Sequence, residues 1–180
     1  MKAELTQGLL KELLHYSHDT GVFTWLHRDE RKFNSWNARF SGSTAGSRRT
    51  TGHGKTYIVV TMYGKSYLAH RLAWMHQTGG WPEGEIDHEN GNGEDNRWLN
   101  LRDVNHSENL KNRRLPSNNS SGTVGVMWSN QNNKWKVQIR DDGKQIYLGY
   151  FTNKEDAIQA RLEASIECSY HENHGQTRPL

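Results

Sequence analysis

Apolar and polar residues follow different periods in the first third of the chain. Leucines recur at helical spacing near its start, which predicts a short amphipathic helix over residues 4–15. The turn-forming triplet Asp19-Thr20-Gly21 precedes the apolar run 22–25, which predicts a strand. Residues 28–54 are rich in Arg, Ser, Gly and Asn and show no periodicity, so we expect a long loop there.

The middle of the chain has the pattern of a hairpin followed by a helix. Two runs of strand-forming residues, 57–62 and 66–69, flank the triplet Tyr63-Gly64-Lys65, which predicts a β-hairpin. Apolar side chains at helical spacing predict a helix over 68–77, which Gly79-Gly80 would end.

The pattern changes after a polar segment at 116–122, whose composition is typical of a linker. Three short strands are predicted at 123–129, 134–140 and 145–150, followed by a helix over 153–166. The helix offers four residues for packing against the strands: Ala157, Ala160, Leu162 and Ala164.

The alternation along these strands sorts their side chains onto two faces. The predicted inner face carries the apolar residues Trp135, Val137, Ile139, Ile146 and Leu148. The predicted outer face carries basic, amide and aromatic residues: Lys134, Lys136, Gln138, Arg140, Gln145 and Tyr147. An ordinary solvated face would alternate in the same way. Because the acidic residues are segregated to 141–142 and to the following helix, the pattern favours an outer face that contacts an anionic partner.

Composition narrows the class of protein. The 180 residues carry a formal net charge of +3, and the basic excess falls within residues 1–115, which favours an anionic partner. The single cysteine, Cys168, excludes a disulfide framework and a zinc site built from cysteines. No apolar run has membrane-spanning length and the N-terminus lacks an apolar signal region, so we expect a cytoplasmic protein without a membrane partner.

Candidate chemistry is concentrated between the hairpin and the linker. Asp87-His88 follows an apolar residue and precedes a turn rich in Gly and Asn. Asn100 lies beyond that turn, and Asn109 lies in a predicted helix in which Asn105 and Glu108 are placed as N-cap and partner. A carboxylate, an amide oxygen and a neighbouring imidazole suit a hard divalent cation and a general base. An isolated Asp-His pair is as typical of a hairpin end, but the joint spacing favours catalysis.

This stretch resembles the ββα-metal motif of HNH nucleases, in the phage homing-endonuclease branch whose last ligand is Asn. The resemblance implies that Asp87 and Asn109 bind one Mg²⁺ or Mn²⁺ ion and that His88 is the general base. It also implies that Asn100 orients His88 and pins the loop by hydrogen bonds. His106 is the alternative metal ligand, although a helix-start or phosphate-contact role fits the motif register better. Arg71 would contact a phosphate or form a salt bridge within the domain.

The strands and helix after the linker resemble the APETALA or ethylene-response-factor DNA-binding domain. The matching stretches are 121–126, 134–140, 147–151, Asp156-Ala157 and Tyr170-His171. In that family the sheet enters the DNA major groove. The resemblance implies that these side chains contact DNA: Lys136, Gln138, Arg140, Gln145 and Tyr147. Lys111, Arg113 and Arg114 would continue the phosphate contacts between the domains.

Together these patterns predict an α+β protein of two domains. Residues 1–115 would form an HNH nuclease domain with its ββα core at about 84–114, 116–122 a linker, and 123–174 a three-stranded antiparallel sheet packed on one helix. The predicted function is metal-dependent cleavage of double-stranded DNA by a monomeric homing endonuclease, in an infected bacterial cytoplasm if phage-encoded. The alternatives are a catalytically idle DNA-binding regulator and a phage nuclease of low specificity.

Overall fold

The computed structural model describes residues 5–52, 54–112 and 115–176. The chain divides after Asp103 into two compact units, which are described separately. No described helix is both long enough and apolar enough to cross a lipid bilayer.

The first unit begins with helix α1 (Gln7–Leu13), where the Thr6 hydroxyl accepts a hydrogen bond from Leu9 N at 3.3 Å. The predicted helix through residue 15 is wrong at its end. Leu14 is extended and begins strand β1 (Leu14–Tyr16), which pairs antiparallel with β2 (Phe23–Trp25). The apolar spacing continued past the helix because Leu14 is also buried, but in a strand.

The long loop predicted at 28–54 is wrong. Helix α2 (Glu30–Phe40) starts at Asp29, whose carboxylate accepts from Arg31 N, and strand β3 (Ser47–Thr50) follows it. The unrecognised signal was the helical spacing of Phe33, Trp36 and Phe40, of which Trp36 packs against Trp25 with ring centroids 5.5 Å apart. The strand could not be found from hydrophobicity because all four of its residues are exposed.

Strand β3 pairs with β4 (Thr56–Met62), and β4 pairs with β5 (Lys65–Leu68), giving an antiparallel sheet in the order β3-β4-β5. Helix α3 (Ala69–Thr78) follows and ends at Gly79, whose left-handed φ of 90° favours glycine. The predicted hairpin and helix are therefore confirmed. The core of this unit includes Leu10, Leu14, Phe23, Val60 and Leu72.

A two-stranded sheet completes this part of the chain. Strand β6 (Glu85–His88) pairs with β7 (Leu101–Val104), and a single 3₁₀ turn (Trp98–Asn100) leads into β7. Ile86 and Leu101 bury the hairpin against the core of the first unit. The polar turn between the strands is thereby fixed on an apolar base.

The second unit contains helix α4 (His106–Leu110), strands β8 (Val126–Ser129), β9 (Lys134–Asp141) and β10 (Lys144–Phe151), and helix α5 (Lys154–Glu167). The strands form an antiparallel sheet in the order β10-β9-β8. Val126 and Val137 from the sheet and Ala157 from α5 form its buried core. The α+β class and the three-stranded sheet packed on one helix are confirmed.

Two residues predicted to pack between the sheet and the helix are exposed. Ile146 lies opposite the buried Ile139, on the predicted inner face, but it is 41% exposed. Leu162 of α5 is 50% exposed, whereas the preceding helix position buries Arg161. A register irregularity between Tyr147 and Gly149 interrupts the alternation of β10. Strict period-two counting therefore fails across this strand.

The compact units separate after Asp103, not within 116–122, because the segment that follows β7 is bonded into the second unit. Lys111 Nζ donates to Asp141 Oδ1 and to Cys168 O, both at 2.7 Å, and Leu115 N donates to Gln176 O at 3.2 Å. The predicted linker residues also form a hydrogen-bonded turn, in which the Asn119 side chain accepts from Gly122 N at 2.6 Å. The functional boundary at 116–122 stays a prediction.

Candidate active site

Asp87 and His88 are the last two residues of β6, and both side chains are buried. The hairpin continues one step further, where Glu89 N donates to Asn100 O at 3.0 Å. Gly91 N then donates back to His88 O at 2.7 Å with a left-handed φ of 74° at Gly91. The sheet therefore delivers a carboxylate and an imidazole together to the start of a tight polar turn.

The turn is held by the Asn100 side chain. Its Oδ1 accepts from Asn90 N at 3.0 Å, and its Nδ2 donates to Asp95 O at 2.7 Å. Asp95 in turn accepts from Asn90 Nδ2 at 2.7 Å and from the Arg97 guanidinium at 2.8 and 2.6 Å. These contacts are those expected of a residue that pins the loop. The orientation of His88 by Asn100 stays a prediction.

A second asparagine lies beside the imidazole. Asn96 is 2% exposed, and its Oδ1 lies 3.3 Å from His88 Nε2. Our sequence reasoning assigned no role to Asn96. The available signal was its place in the triplet Asp95-Asn96-Arg97, inside the motif already singled out.

Two aromatic rings, those of His70 and Tyr57, lie near the His88 ring. The His70 ring is 5.0 Å from it in an edge arrangement, and the Tyr57 ring is 6.2 Å away. Burial lowers the pKa of His88, although the hydrogen bond to Asn96 and the charge of Asp87 oppose that shift. Burial first, and then the neighbouring His88, lowers the pKa of His70 to about 3. Both imidazoles are therefore neutral at neutral pH.

The Asp87 carboxylate is paired with a cation from the adjacent strand. Arg102 Nη2 donates to Asp87 Oδ2 at 2.5 Å, and Arg102 Nε lies 3.4 Å from Glu89 Oε1. One guanidinium thus serves two carboxylates on β6 and its turn, and sequence reasoning missed it. Among the described residues no three His, Cys, Asp or Glu side chains form a metal-binding group.

The second predicted metal ligand, Asn109, belongs to the second unit. It lies on α4, where Glu108 N donates to Asn105 Oδ1 at 3.0 Å and Asn105 N donates to Glu108 Oε2 at 2.9 Å. The predicted reciprocal capping box is therefore confirmed. His106, the alternative ligand, is the first residue of α4.

The sheet of the second unit gathers the predicted DNA-contacting residues on one face. Gln145 lies opposite Arg140, and Tyr147 lies opposite Gln138, with Gln145 Nε2 donating to Gln138 Oε1 at 2.5 Å. The irregularity in β10 also brings in Tyr150, which lies opposite Lys136. Its ring is 5.4 Å from that of Tyr147. Sequence reasoning missed Tyr150 because it assumed uninterrupted alternation.

The other residues predicted to contact phosphates do not belong to this sheet face. The ion pair of Lys111 with Asp141 raises the pKa of its ammonium and uses part of its bonding capacity. Arg71 Nη1 lies 3.5 Å from Gly84 O, and its guanidinium is 5.8 Å from the centre of the Trp81 ring. Both contacts lie within the first unit and neither is a salt bridge, so the two predicted roles of Arg71 stay predictions. Arg113 and Arg114 lie outside the described residues.

Comparisons with known proteins place this site in a family. The family model of HNH endonucleases matches residues 67–111, which include Asp87, His88, Asn100 and Asn109. Those residues are an HNH endonuclease domain. Protein 3.8 of Escherichia phage T7 is 35% identical over 82 residues, which cover 45% of this chain and 68% of that protein. The chain therefore belongs to the family of Protein 3.8.

The chain is also similar to a solved structure of the HNH homing endonuclease I-HmuI, which concerns DNA binding and cleavage by that enzyme. It is 25% identical, and the match covers 75% of this chain and 71% of that chain with a TM-score of 0.39.

The hydrogen bonds of Asn100 generate a prediction about the turn. Asn100→Ala removes an acceptor for Asn90 N and a donor for Asp95 O, so we expect the free energy of unfolding to fall by about 1–3 kcal/mol. Amide hydrogen exchange of residues 90–96 should accelerate. The control is Asn34→Ala on the exposed surface of α2, where the change should be within about 0.5 kcal/mol. Equal destabilisation by both variants would contradict the role given to Asn100.

Proposed function

We propose that the protein is a metal-dependent DNA endonuclease that hydrolyses phosphodiester bonds, and that it is a site-preferring homing endonuclease. The observation that carries this proposal is the pair Asp87 and His88, held at the end of β6 by a polar turn within the segment that matches HNH endonucleases. A turn whose only task is to reverse the chain has no need of a buried carboxylate and a buried imidazole side by side, since burying polar groups costs free energy.

The donor set fits a hard divalent cation. Asp87 supplies a carboxylate and Asn109 an amide oxygen, which are ligand types that Mg²⁺ and Mn²⁺ accept, and the remaining positions suit water and phosphate oxygens. When bound, the cation would supply charge stabilisation for the phosphate and for the leaving 3′-oxygen. The Asp87 carboxylate already pairs with one cationic group, the Arg102 guanidinium.

His88 would act on the attacking water. Its neutral imidazole removes a proton as the water oxygen forms a bond to phosphorus, and the bond from phosphorus to the 3′-oxygen breaks. Burial favours the neutral form that can accept this proton. Arg102 would hold the charge of Asp87 in the absence of metal, and it has Glu89 as an alternative partner when the carboxylate binds the cation.

The second unit would supply the site preference. Its outer sheet face aligns Arg140 with Gln145 and Gln138 with Tyr147, so donors that can read base edges lie next to one another. Lys136 lies on the same face and suits a phosphate contact. In this proposal, residues 123–174 form the DNA-binding domain and residues 1–115 form the nuclease domain.

The test of the proposed function is cleavage of double-stranded DNA of mixed sequence. We expect cuts at discrete positions in Mg²⁺ or Mn²⁺, no cuts in EDTA, and loss of cleavage in Asp87→Asn. The matched control is Asp19→Asn, a carboxylate that is 83% exposed, which should cut normally. Cutting by metal-free protein in EDTA would refute metal dependence. Binding without cutting would indicate a regulator, and scattered cuts a nuclease of low specificity.

The assignment of the base predicts a separation of cleavage from binding. His88→Gln should lower kcat by about 10²–10⁴-fold, because it removes a proton acceptor, and should leave the dissociation constant for DNA nearly unchanged. Single-turnover cleavage and fluorescence anisotropy measure the two quantities. His15→Gln, on the exposed side of β1, serves as the control. A rate for His88→Gln within a few-fold of the wild type at neutral pH would exclude His88 as the base.

The sheet face predicts two kinds of binding defect. Arg140→Ala should relax the preference at one or two base pairs, because a bidentate base contact is worth about 1–3 kcal/mol. Lys136→Ala should weaken binding to all sequences and reduce the salt slope by about one. Selection from a randomised DNA library at two salt concentrations distinguishes them, with Lys65→Ala on β5 as the control. Unchanged profiles for both variants would show that another surface reads the DNA.

A further inference from the structure

The amide of Asn96 has a fixed orientation. The residue is almost fully buried, and its Nδ2 donates to Glu94 O at 3.3 Å. Because a carbonyl oxygen only accepts, the nitrogen end of the amide must face Glu94. The opposite end, Oδ1, is the atom that lies 3.3 Å from His88 Nε2.

This orientation favours a proton on one particular imidazole nitrogen of His88. An amide oxygen cannot donate, so a hydrogen bond to Oδ1 requires a proton on Nε2. A neutral imidazole protonated on Nε2 has its lone pair on Nδ1. The nitrogen that can accept a proton is thereby specified by a buried side chain eight positions further along the chain.

The hairpin formed by β1 and β2 contacts the backbone of the segment that carries Asn96. The Tyr16 hydroxyl donates to Asn96 O at 2.6 Å, and Trp98 N donates to His18 O at 2.9 Å. Gly21 has a left-handed φ of 71°, and a Cβ there would lie 2.4 Å from the backbone of Asn96 and Arg97. A side chain at Gly21 would therefore displace the segment that carries Asn96. These supports lie outside the residues matched by the family model.

We propose that Asn96 is a positioning residue that holds His88 in the tautomer protonated on Nε2, leaving Nδ1 to accept the proton of the attacking water. The consequence for cleavage rests on the proposed function. The tautomer itself is a property of the protein without DNA or metal, so it is measured independently of any activity.

The experiment is long-range ¹H–¹⁵N correlation spectroscopy of the full-length chain at about pH 8, where an ordinary imidazole is neutral. His88→Gln identifies the His88 signals among the 10 histidines. We expect the wild-type imidazole to be protonated on Nε2, with a slowly exchanging Hε2. Asn96→Asp keeps an acceptor oxygen, so His88 should remain protonated on Nε2 and its Hε2 should still exchange slowly. Asn96→Leu removes the acceptor, so Hε2 should exchange with water and lose its separate signal.

The matched control is Asn37→Leu. Asn37 is also buried and its Nδ2 lies 3.3 Å from His27 Nε2, but it belongs to α2. The Asn37→Leu substitution should leave the His88 signals unchanged. This result would separate a specific effect of Asn96 from a general destabilisation of the first unit. Three outcomes would overturn the proposal: a wild-type His88 protonated on Nδ1, an Hε2 signal equally protected in folded Asn96→Leu, or the same loss in Asn37→Leu. If Asn96→Leu does not fold, the wild-type and Asn96→Asp spectra decide.

Cleavage kinetics provide the second measurement. Asn96→Leu should lower kcat by at least about tenfold, within the general-base contribution of about 10²–10⁴, without weakening DNA binding. Asn96→Asp should recover most of that loss. If the wild type shows the predicted tautomer but cuts no DNA, the proposed function fails while the positioning role stands. If the wild type cuts DNA and folded Asn96→Leu cuts equally well, the positioning role fails alone.

Discussion

The cost of burying polar groups governs the turn between β6 and β7. Asp87, His88, Asn96 and Asn100 are all buried, and a buried polar group without a partner destabilises a fold by about 1–3 kcal/mol. The turn meets this constraint with side chains that bond to its own backbone, as Asn100 does with Asn90 and Asp95. Asn96 and Arg102 contact the side chains of His88 and Asp87 in a similar way. The contacts that offset the cost of burial therefore also hold the residues of the candidate site.

Several carboxylates of this hairpin are also paired, each with an arginine. Asp95 is matched by Arg97, Asp87 by Arg102, and Glu94 by Arg48 on the edge strand β3. Each pair joins parts of the turn to one another or to a neighbouring strand. The pairs that lie at the surface contribute little stability, but the Asp87–Arg102 pair is more buried, with side chains that are 10% and 31% exposed. A metal ion would therefore have to compete with a guanidinium for this carboxylate.

Much of the fold could be predicted from local patterns. The β4–β5 hairpin, α3, the capping box of α4 and the three-stranded sheet all depend on periodicity or short motifs, which a sequence shows directly. The failures have different causes. Helix α2 had local signals that were not recognised, namely the N-cap Asp29 and the helical spacing of its aromatic residues. Strand β3 has none, because it is an exposed edge strand. The irregularity in β10 reverses the face of Tyr150, and no period reveals it.

The candidate site shows the same division. Asp87, His88 and Asn100 were found because a motif places them close in sequence, and the structure brings them together at one hairpin. Asn96 and Arg102 were missed because their roles depend on what lies next to them in space. Asn96 contacts His88, and Arg102, fifteen positions after Asp87 on the paired strand, donates to the Asp87 carboxylate. Asn96 lies within the motif, but its place in the sequence does not show that its side chain contacts His88.

The contact between Tyr16 and Asn96 joins residues 80 positions apart. Such non-local contacts form slowly, because the intervening chain must first be ordered. On a ribosome, the N-terminal hairpin emerges well before its partner turn, so the segment around His88 gains its support only when both have been made. A chain cut short before residue 96 would contain the hairpin formed by β1 and β2 but not the turn that it supports. The arrangement around His88 therefore depends on two segments of the chain that are synthesised well apart in time.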